Sequence, residues 1–158
     1  KELLNVLKNV NNYDLVHFGR STRAFETHPR TQKKTEIMVN QVGSRILNLK
    51  ETYDLISVCY AFSKKLGEYL LDFEASTEMG FYGSWPVILW GNASHRTYIE
   101  VEGQEWETPD RFQKEINELG YKKWLEQFQT PKEWEMRTKF LNECLTEMLD
   151  LAEYSLKV

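Results

Sequence analysis

The chain has 158 residues, of which 41% are hydrophobic and 28% charged, and its formal net charge is −4. This is typical of one globular domain that buries a core without disulfides or structural metals. The sequence has no apolar run long enough to cross a membrane and does not begin like a signal peptide, so we expect a cytoplasmic protein without cofactors.

The first half of the sequence predicts helices on either side of a basic segment. Apolar spacing indicates a short helix over residues 1–10, and residues 11–34 are expected to be irregular or extended, with short strands in "DLVHFG" and "TRAFETH". Two helices are then predicted within residues 35–75, the second capped by Thr52 and continuing to Phe73. A rival interpretation makes "LISVCY" a strand because it is rich in β-branched and aromatic residues.

The second half predicts a hairpin followed by helices. "EMGFYGSWP" is expected to be a loop, and "VILW" and "HRTYIEVE" form a predicted hairpin over residues 86–103. Helices are predicted over residues 108–157, with Thr108 and Thr130 as N-caps, each before a proline, and Gly120 as a helix end. The predicted fold is therefore one helix-dominated α+β domain with a small antiparallel sheet or hairpin.

Basic residues are concentrated in one early segment. Between positions 20 and 34, five cations stand against the single carboxylate of Glu26: Arg20, Arg23, Arg30, Lys33 and Lys34. Lysines and arginines on a mobile loop are the usual electrostatic footprint of phosphate contacts, so this segment predicts possible contacts with nucleic acid. The alternative is a solvated loop, or one that pairs with acidic residues of the same chain.

The stretch "TYIEVEGQEWETPD", residues 97–110, holds five carboxylates and no lysine or arginine. In a strand, alternate side chains share a face, so this pattern puts Tyr98, Glu100 and Glu102 on one side. We predict a partner-binding surface that contains Tyr98, Glu100, Glu102, Glu105, Trp106, Glu107 and Asp110. Carboxylates about 7 Å apart imitate the phosphate spacing of a nucleic-acid strand, while the aromatic rings would supply affinity. A solvated strand face is the alternative.

A catalytic interpretation of the same stretch uses His95 with Glu100 and Glu102. These three side chains could hold a divalent ion for phosphodiester hydrolysis. The sequence contains none of the short motifs of nucleotide-binding folds or of serine hydrolases, and Cys59 and Cys144 lie too far apart for a redox pair. We therefore expect a binding protein rather than an enzyme, and we expect no metal.

In size, lack of a catalytic motif and the acidic segment "IEVEGQEWETPD", the chain resembles the anti-CRISPR inhibitors that phages and mobile elements direct against the type II RNA-guided nuclease. The resemblance implies stoichiometric binding to the nuclease, which would block DNA binding or cleavage. The expected partner is thus a nucleic-acid enzyme with a basic surface. The metal-dependent nuclease and the nucleic-acid-binding module remain the alternatives.

Overall fold

A computed structural model describes residues 12–74, 77–102 and 111–155 of the chain. The described residues form a helix-dominated α+β structure with a small sheet, so the predicted fold class is confirmed. The strands are β1 (Leu15–Arg20), β2 (Tyr60–Phe62) and β3 (Arg96–Val101). The helices are α1 (Thr22–Glu26), α2 (Arg30–Ile46), α3 (Lys64–Leu71), α4 (Phe81–Asn92), α5 (Gln113–Leu119), α6 (Tyr121–Gln127) and α7 (Pro131–Ser155).

The sheet is mixed, with β1 between its two partners in the order β2, β1, β3. β2 is antiparallel to β1, whereas β3 is parallel to it, from Leu15 opposite Arg96 to Arg20 opposite Val101. All six residues of β1 are buried, as expected for a strand covered on both faces. As a consequence, Arg20, the last residue of β1, is also buried.

Two clusters of apolar side chains form most of the core. The first joins β1 to the start of α3 and the end of α4 through Leu15, Leu66 and Trp90. The second joins α2, α4 and α7 through Val39, Val87, Cys144 and Met148, which are at most 8% exposed. The long helix α7 is thereby fixed against α2 and α4 by apolar burial.

The predicted C-terminal helices are present from Gln113 onward, although Arg111 and Phe112, which the prediction included, lie outside an α-helix. The Thr130 Oγ1 accepts a hydrogen bond from the Glu133 backbone N–H at 3.2 Å, and α7 begins at Pro131. Gly120 ends α5 with a φ of 81°, which glycine adopts without steric cost. The predicted helix over residues 1–10 and the Thr108 cap lie outside the described residues.

The predicted strand in "TRAFETH" is wrong, because this stretch forms α1 and the turn after it. Ser21 is an N-cap whose Oγ accepts a hydrogen bond from the Ala24 backbone N–H at 3.2 Å. The next helix, α2, already starts at Arg30, directly after Pro29, rather than near position 35. Helix therefore replaces part of the expected irregular segment, over residues 22–26 and 30–34.

The predicted helix from Thr52 to Phe73 is also wrong over its first half. Leu55–Ser57 form a 3-10 turn, Val58 has a left-handed backbone with a φ of 49°, and β2 follows over Tyr60–Phe62. The rival strand over "LISVCY" is therefore also wrong except at its last residue, Tyr60. Pairing with β1 overrides the helical spacing here. A helix forms only after Ser63, whose Oγ caps α3.

The predicted loop over residues 78–86 and the predicted hairpin over residues 86–103 are wrong where the structure describes them, because these residues form α4 and a parallel strand. Most of α4 is buried on all sides, so its sequence lacks the one-sided apolar spacing of a surface helix. Gly83 lies where α4 crosses α7, and a Cβ there would be 2.1 Å from the Cys144 carbonyl oxygen. This glycine marks close packing of helices rather than a loop. No helix in the described residues is long and apolar enough to cross a bilayer.

We predict that Gly83→Ala lowers the free energy of unfolding by about 1–3 kcal/mol, because α4 and α7 must move apart to admit the methyl group. Gly91→Ala is the matched control on the same helix: a Cβ there meets no atom within 4 Å, so it should be neutral or stabilising by up to about 1 kcal/mol. Urea unfolding followed by circular dichroism measures both. Equal effects of the two substitutions would contradict the described crossing of α4 and α7.

Candidate functional site

Arg20 is the centre of a buried polar cluster at the end of β1. Its side chain is 4% exposed and makes a two-pronged contact with Asp54: Nε and Nη2 donate to the two carboxylate oxygens, each at 2.7 Å. The Arg20 backbone N–H donates to Asp54 Oδ2 at 3.0 Å. The guanidinium also lies 4.9 Å from the centre of the Phe25 ring. One carboxylate thus fixes both the backbone and the side chain of Arg20.

Asn40 of α2 connects this ion pair to the segment that follows Asp54. Its Nδ2 donates to Asp54 Oδ1 at 3.0 Å, while its Oδ1 accepts from the backbone N–H groups of Leu55 and Ile56 at 2.9 and 3.3 Å. The amide therefore provides an acceptor for the Ile56 N–H and a second acceptor for the Leu55 N–H, which also donates to the Tyr53 carbonyl at 3.0 Å. The 3-10 turn is held against α2 by these bonds.

Glu36 extends the cluster towards α7. Its Oε2 lies 2.7 Å from Arg20 Nη1, and its Oε1 lies 3.7 Å from Nη1 of Arg137. Arg137 in turn donates from Nε to Glu133 one turn earlier on α7, at 3.1 Å. A chain of alternating charges therefore runs from β1 through α2 to α7.

The protonation states follow from these contacts. Burial opposes charge on both Arg20 and Asp54, but their mutual hydrogen bonds and attraction prevail. As a result, the pKa of Asp54 is held below its ordinary value, and the pKa of Arg20 is raised. Burial and the nearby Arg20 charge lower the pKa of His28. Its Nδ1 donates to the Ala24 carbonyl at 2.9 Å, which leaves Nε2, 3.4 Å from Arg20 Nη1, as an acceptor.

A second buried histidine, His17, lies in the middle of β1. Trp90 Nε1 donates to its Nδ1 at 2.9 Å, so the neutral ring carries its proton on Nε2, which donates to Ser57 Oγ at 3.1 Å. The Ser57 hydroxyl then donates to the Phe18 carbonyl at 2.6 Å. Burial, partly offset by the Asp54 charge, lowers the pKa of His17 to about 3. This ring is a fixed structural hydrogen-bonding group.

The residues of the predicted acidic surface that the structure describes differ in their exposure and in their contacts. Tyr98 is half-buried and stacks on Tyr53, with ring centres 4.1 Å apart, and its hydroxyl accepts from the Asp54 backbone N–H at 3.1 Å. Glu100 is exposed at the end of the same face. Glu102, by contrast, accepts from Ser21 Oγ at 2.6 Å and from Nε of Arg23 at 2.8 Å, and these hydrogen bonds, led by that of Arg23, lower its pKa.

The four remaining predicted contacts of this surface, Glu105, Trp106, Glu107 and Asp110, lie outside the described residues. Among those described, Tyr98 and Glu100 line one groove of about 160 Å³ between α1 and β3. The groove is also lined by Phe25, Glu26 and Tyr53, with Asp54 and Arg20 among its lining residues. We call it the acidic groove.

The predicted basic segment does not form one mobile, exposed loop. The assignment of Arg20 to phosphate contacts is wrong, because Arg20 is buried against Asp54 and Glu36. Arg23 pairs with Glu102 on the surface, and Lys33 Nζ lies 3.0 Å from the Glu26 carboxylate. The other two cations of the segment, Arg30 and Lys34, are exposed on α2.

The alternative metal site is not assembled in the described part of the chain, where no three His, Cys, Asp or Glu side chains are grouped to hold an ion. His95 is exposed and its Nδ1 lies 3.7 Å from Asp14 Oδ2 rather than near Glu100 and Glu102. Asp14 Oδ2 also accepts from the backbone N–H groups of Ser94 and His95. This histidine therefore belongs to the turn before β3.

Sequence reasoning missed the carboxylates and amides that surround Arg20. A signal for them exists: Gln32, Glu36, Asn40 and Ser44 recur every fourth residue, so they share one face of α2, and all four are buried. A polar stripe on a buried helix face requires internal partners. Asp54 has no comparable local pattern, since it pairs with Arg20 across 34 positions of sequence.

Comparison with known proteins finds no match: no family model fits the sequence, and no curated protein or solved structure is similar to the chain.

We predict that Arg20→Lys lowers the free energy of unfolding by about 3–5 kcal/mol. A single ammonium cannot reproduce the two-pronged contact with Asp54 while also reaching Glu36, so a buried carboxylate loses its partner. Arg23→Lys alters a surface pair with Glu102 and should cost much less, because solvent screens an exposed pair. Urea unfolding of the two variants tests this contrast, and an Arg20→Lys protein as stable as Arg23→Lys would refute it.

Stability should also fall on acidification between pH 6.5 and 3. The depressed pKa of His17 means that the unfolded chain binds a proton in this range while the folded chain does not, which favours unfolding. From pH 7 to pH 5 this group alone should remove about 2 kcal/mol, and His28 acts in the same direction. Urea unfolding at both pH values should show a smaller loss for His17→Gln than for His95→Gln. An equal loss in the two variants would argue against a neutral, buried His17.

Proposed function

We propose that this protein acts by binding a macromolecule with a basic surface, and that it inhibits a nucleic-acid enzyme in this way. The supporting observation is the acidic groove, in which the exposed carboxylate of Glu100 lies beside the ring of Tyr98. A volume of about 160 Å³ suits one protruding lysine or arginine side chain rather than a substrate with several rings. We therefore propose that the groove docks a side chain of a macromolecular partner and does not bind a substrate.

The chemistry of the groove favours a guanidinium or ammonium group. Glu100 provides negative charge at the surface, and Glu26, whose carboxylate also pairs with Lys33, lies in the same lining. The stacked rings of Tyr53 and Tyr98 provide aromatic surface that attracts cations. Tyr98 is held in place by its stacking on Tyr53 and its bond from the Asp54 N–H, so little conformational entropy is lost on binding. Rigid aromatic residues beside carboxylates are typical of binding hot spots.

Internal pairing weakens the case for direct binding of nucleic acid. Arg20, Arg23 and Lys33 each contact a carboxylate of this chain, so three of the five cations of the basic segment are already compensated. A phosphate backbone would have to compete with those carboxylates. The same pairing removes Glu102 from the surface charge available to a partner, which leaves Glu100 as the key described carboxylate of the proposed surface.

The resemblance to anti-CRISPR inhibitors gives this proposal its specific form. The partner would be the type II RNA-guided nuclease, whose nucleic-acid channel must be basic to hold its guide and target. The protein would occupy part of this channel, or would hold a catalytic domain away from the DNA. Electrostatic attraction would give fast association that weakens as salt increases.

The test is a DNA cleavage assay with purified nuclease, guide RNA and target DNA, to which the protein is added at increasing ratios. Inhibition should reach completion near a one-to-one ratio and should weaken as the salt concentration rises. Glu100→Lys should reduce the apparent affinity by about tenfold or more, because it places a cation in the groove. Glu68→Lys, the same charge reversal at an exposed position of α3, should inhibit like the unaltered protein.

Two outcomes would overturn the proposal in different ways. Cleavage that persists at a large excess of the protein would exclude the nuclease as partner. Inhibition that Glu100→Lys leaves intact would exclude the acidic groove as the docking surface. A gel shift of bare DNA by the protein alone, lost on Arg30→Ala with Lys34→Ala, would favour the nucleic-acid-binding alternative.

A further inference from the structure

A larger cavity, of about 410 Å³, lies near Arg20 and is lined by parts of α2, α4 and α7. Its deepest lining residues include Arg20, Gln32 and Glu36, each at most 5% exposed. Its mouth is formed by exposed residues, among them Met79 and Met136, which are 38% and 51% exposed. The volume falls within the usual range for small-molecule sites. We call it the methionine cavity, to distinguish it from the acidic groove.

Carboxylates outnumber cations in and directly behind this cavity. The lining holds three cations and three carboxylates: Arg20, Arg137 and Lys139, with Glu36, Glu78 and Glu143. Two further carboxylates pair with the lining arginines, Asp54 with Arg20 and Glu133 with Arg137. The five carboxylates therefore exceed the three cations, and the potential inside favours a positively charged ligand.

A buried hydrogen-bond acceptor at the deep end of the cavity also favours a cationic ligand, because such a ligand carries N–H donors. Gln32 is 4% exposed, and within the described part of the chain its Oε1 has no hydrogen-bond partner. A buried amide oxygen left without a donor is unfavourable, and a ligand N–H would remove this cost. Glu36, one turn further along α2, adds a carboxylate on the same face.

The walls above this polar end are aromatic and thioether groups. Tyr82 and Phe140 meet edge to face with ring centres 5.3 Å apart, and both line the cavity together with the two methionines of the mouth. Ring faces attract organic cations, and methionine adapts to ligands of different shapes. Such a wall suits the apolar body of a ligand.

The backbone of the wall carries strain. Val58 lines the cavity in a left-handed conformation with a φ of 49°, which is sterically unfavourable for a β-branched residue. The neighbouring Ser57 hydroxyl is fixed by its bond to the Phe18 carbonyl. The hydrogen bond of Ser57 thus limits the movement of this part of the wall.

We propose that the methionine cavity binds a small organic cation with an apolar body. Its ammonium or guanidinium group would lie at the end formed by Gln32 and Glu36, and its apolar part against Tyr82 and Phe140. This site is independent of the acidic groove and of any macromolecular partner.

Calorimetric titration with three probes of the same aromatic body tests the charge preference. The probes are benzylguanidine, which is cationic, benzylurea, which is neutral and of matched shape, and phenylacetate, which is anionic. Benzylguanidine should bind at one site, about tenfold or more tighter than benzylurea, and phenylacetate should bind most weakly. Equal affinities for the cationic and neutral probes, or preference for phenylacetate, would overturn the proposal.

Two matched substitutions locate the bound probe. Met136→Trp places a bulky ring at the mouth and should weaken benzylguanidine binding about tenfold, while Met38→Trp makes the same change at a position of α2 that is 49% exposed and lies outside the cavity lining. Both positions are exposed, so the folds should persist, which circular dichroism verifies. Binding equal in the two variants would overturn the proposal.

Glu100→Lys separates this site from the acidic groove. This substitution should leave benzylguanidine affinity unchanged even though it weakens inhibition of the macromolecular partner. A loss of affinity matching that of Met136→Trp would place the cation in the acidic groove and contradict the assignment to the methionine cavity.

Discussion

The described structure depends on one constraint: the positive charge of the buried Arg20 guanidinium must be balanced by carboxylates close to it. A buried cation is strongly unfavourable unless carboxylates surround it, so the fold must bring Asp54 and Glu36 to the end of β1. These contacts join β1 to α2, to the segment before β2 and, through Arg137, to α7. They also explain why a chain rich in surface charge keeps a polar stripe on the buried face of α2.

The same cluster separates two surfaces with different chemistry. Arg20 lines both the acidic groove and the methionine cavity. Both sites therefore border the same network of paired charges. The groove is small, exposed and aromatic, which suits a side chain of a protein partner. The cavity is larger and deeper, which suits a free small molecule. Because most charges of this network are paired with one another, groups for which the described residues provide no partner, such as Glu100 and the Gln32 amide oxygen, should determine what binds.

Local signals predicted the parts of the fold that depend on them. Thr130 and Gly120 mark helix ends through bonds and backbone angles within a few residues, so the C-terminal helices were predictable. The segment at β2 and the helix α4 depend instead on distant packing: β2 pairs with β1, and Gly83 of α4 contacts Cys144 of α7. Arg20 shows the same limit at the site. The residues next to Arg20 in sequence indicated a basic loop. Arg20 is nevertheless buried, because it pairs with Asp54, which lies close to it only in the folded chain.

The solvent exchange of the Arg20 Nε–H, observed by nuclear magnetic resonance, tests the central claim most directly. The account predicts a distinct signal that persists in slow exchange, because this group donates to Asp54 inside the protein, and that is lost when Asp54 is replaced by alanine. The Nε–H of Arg23, on the surface, supplies the reference for fast exchange. An Arg20 signal that exchanges as fast as that of Arg23 would mean that the guanidinium is free in solution, and would contradict the account.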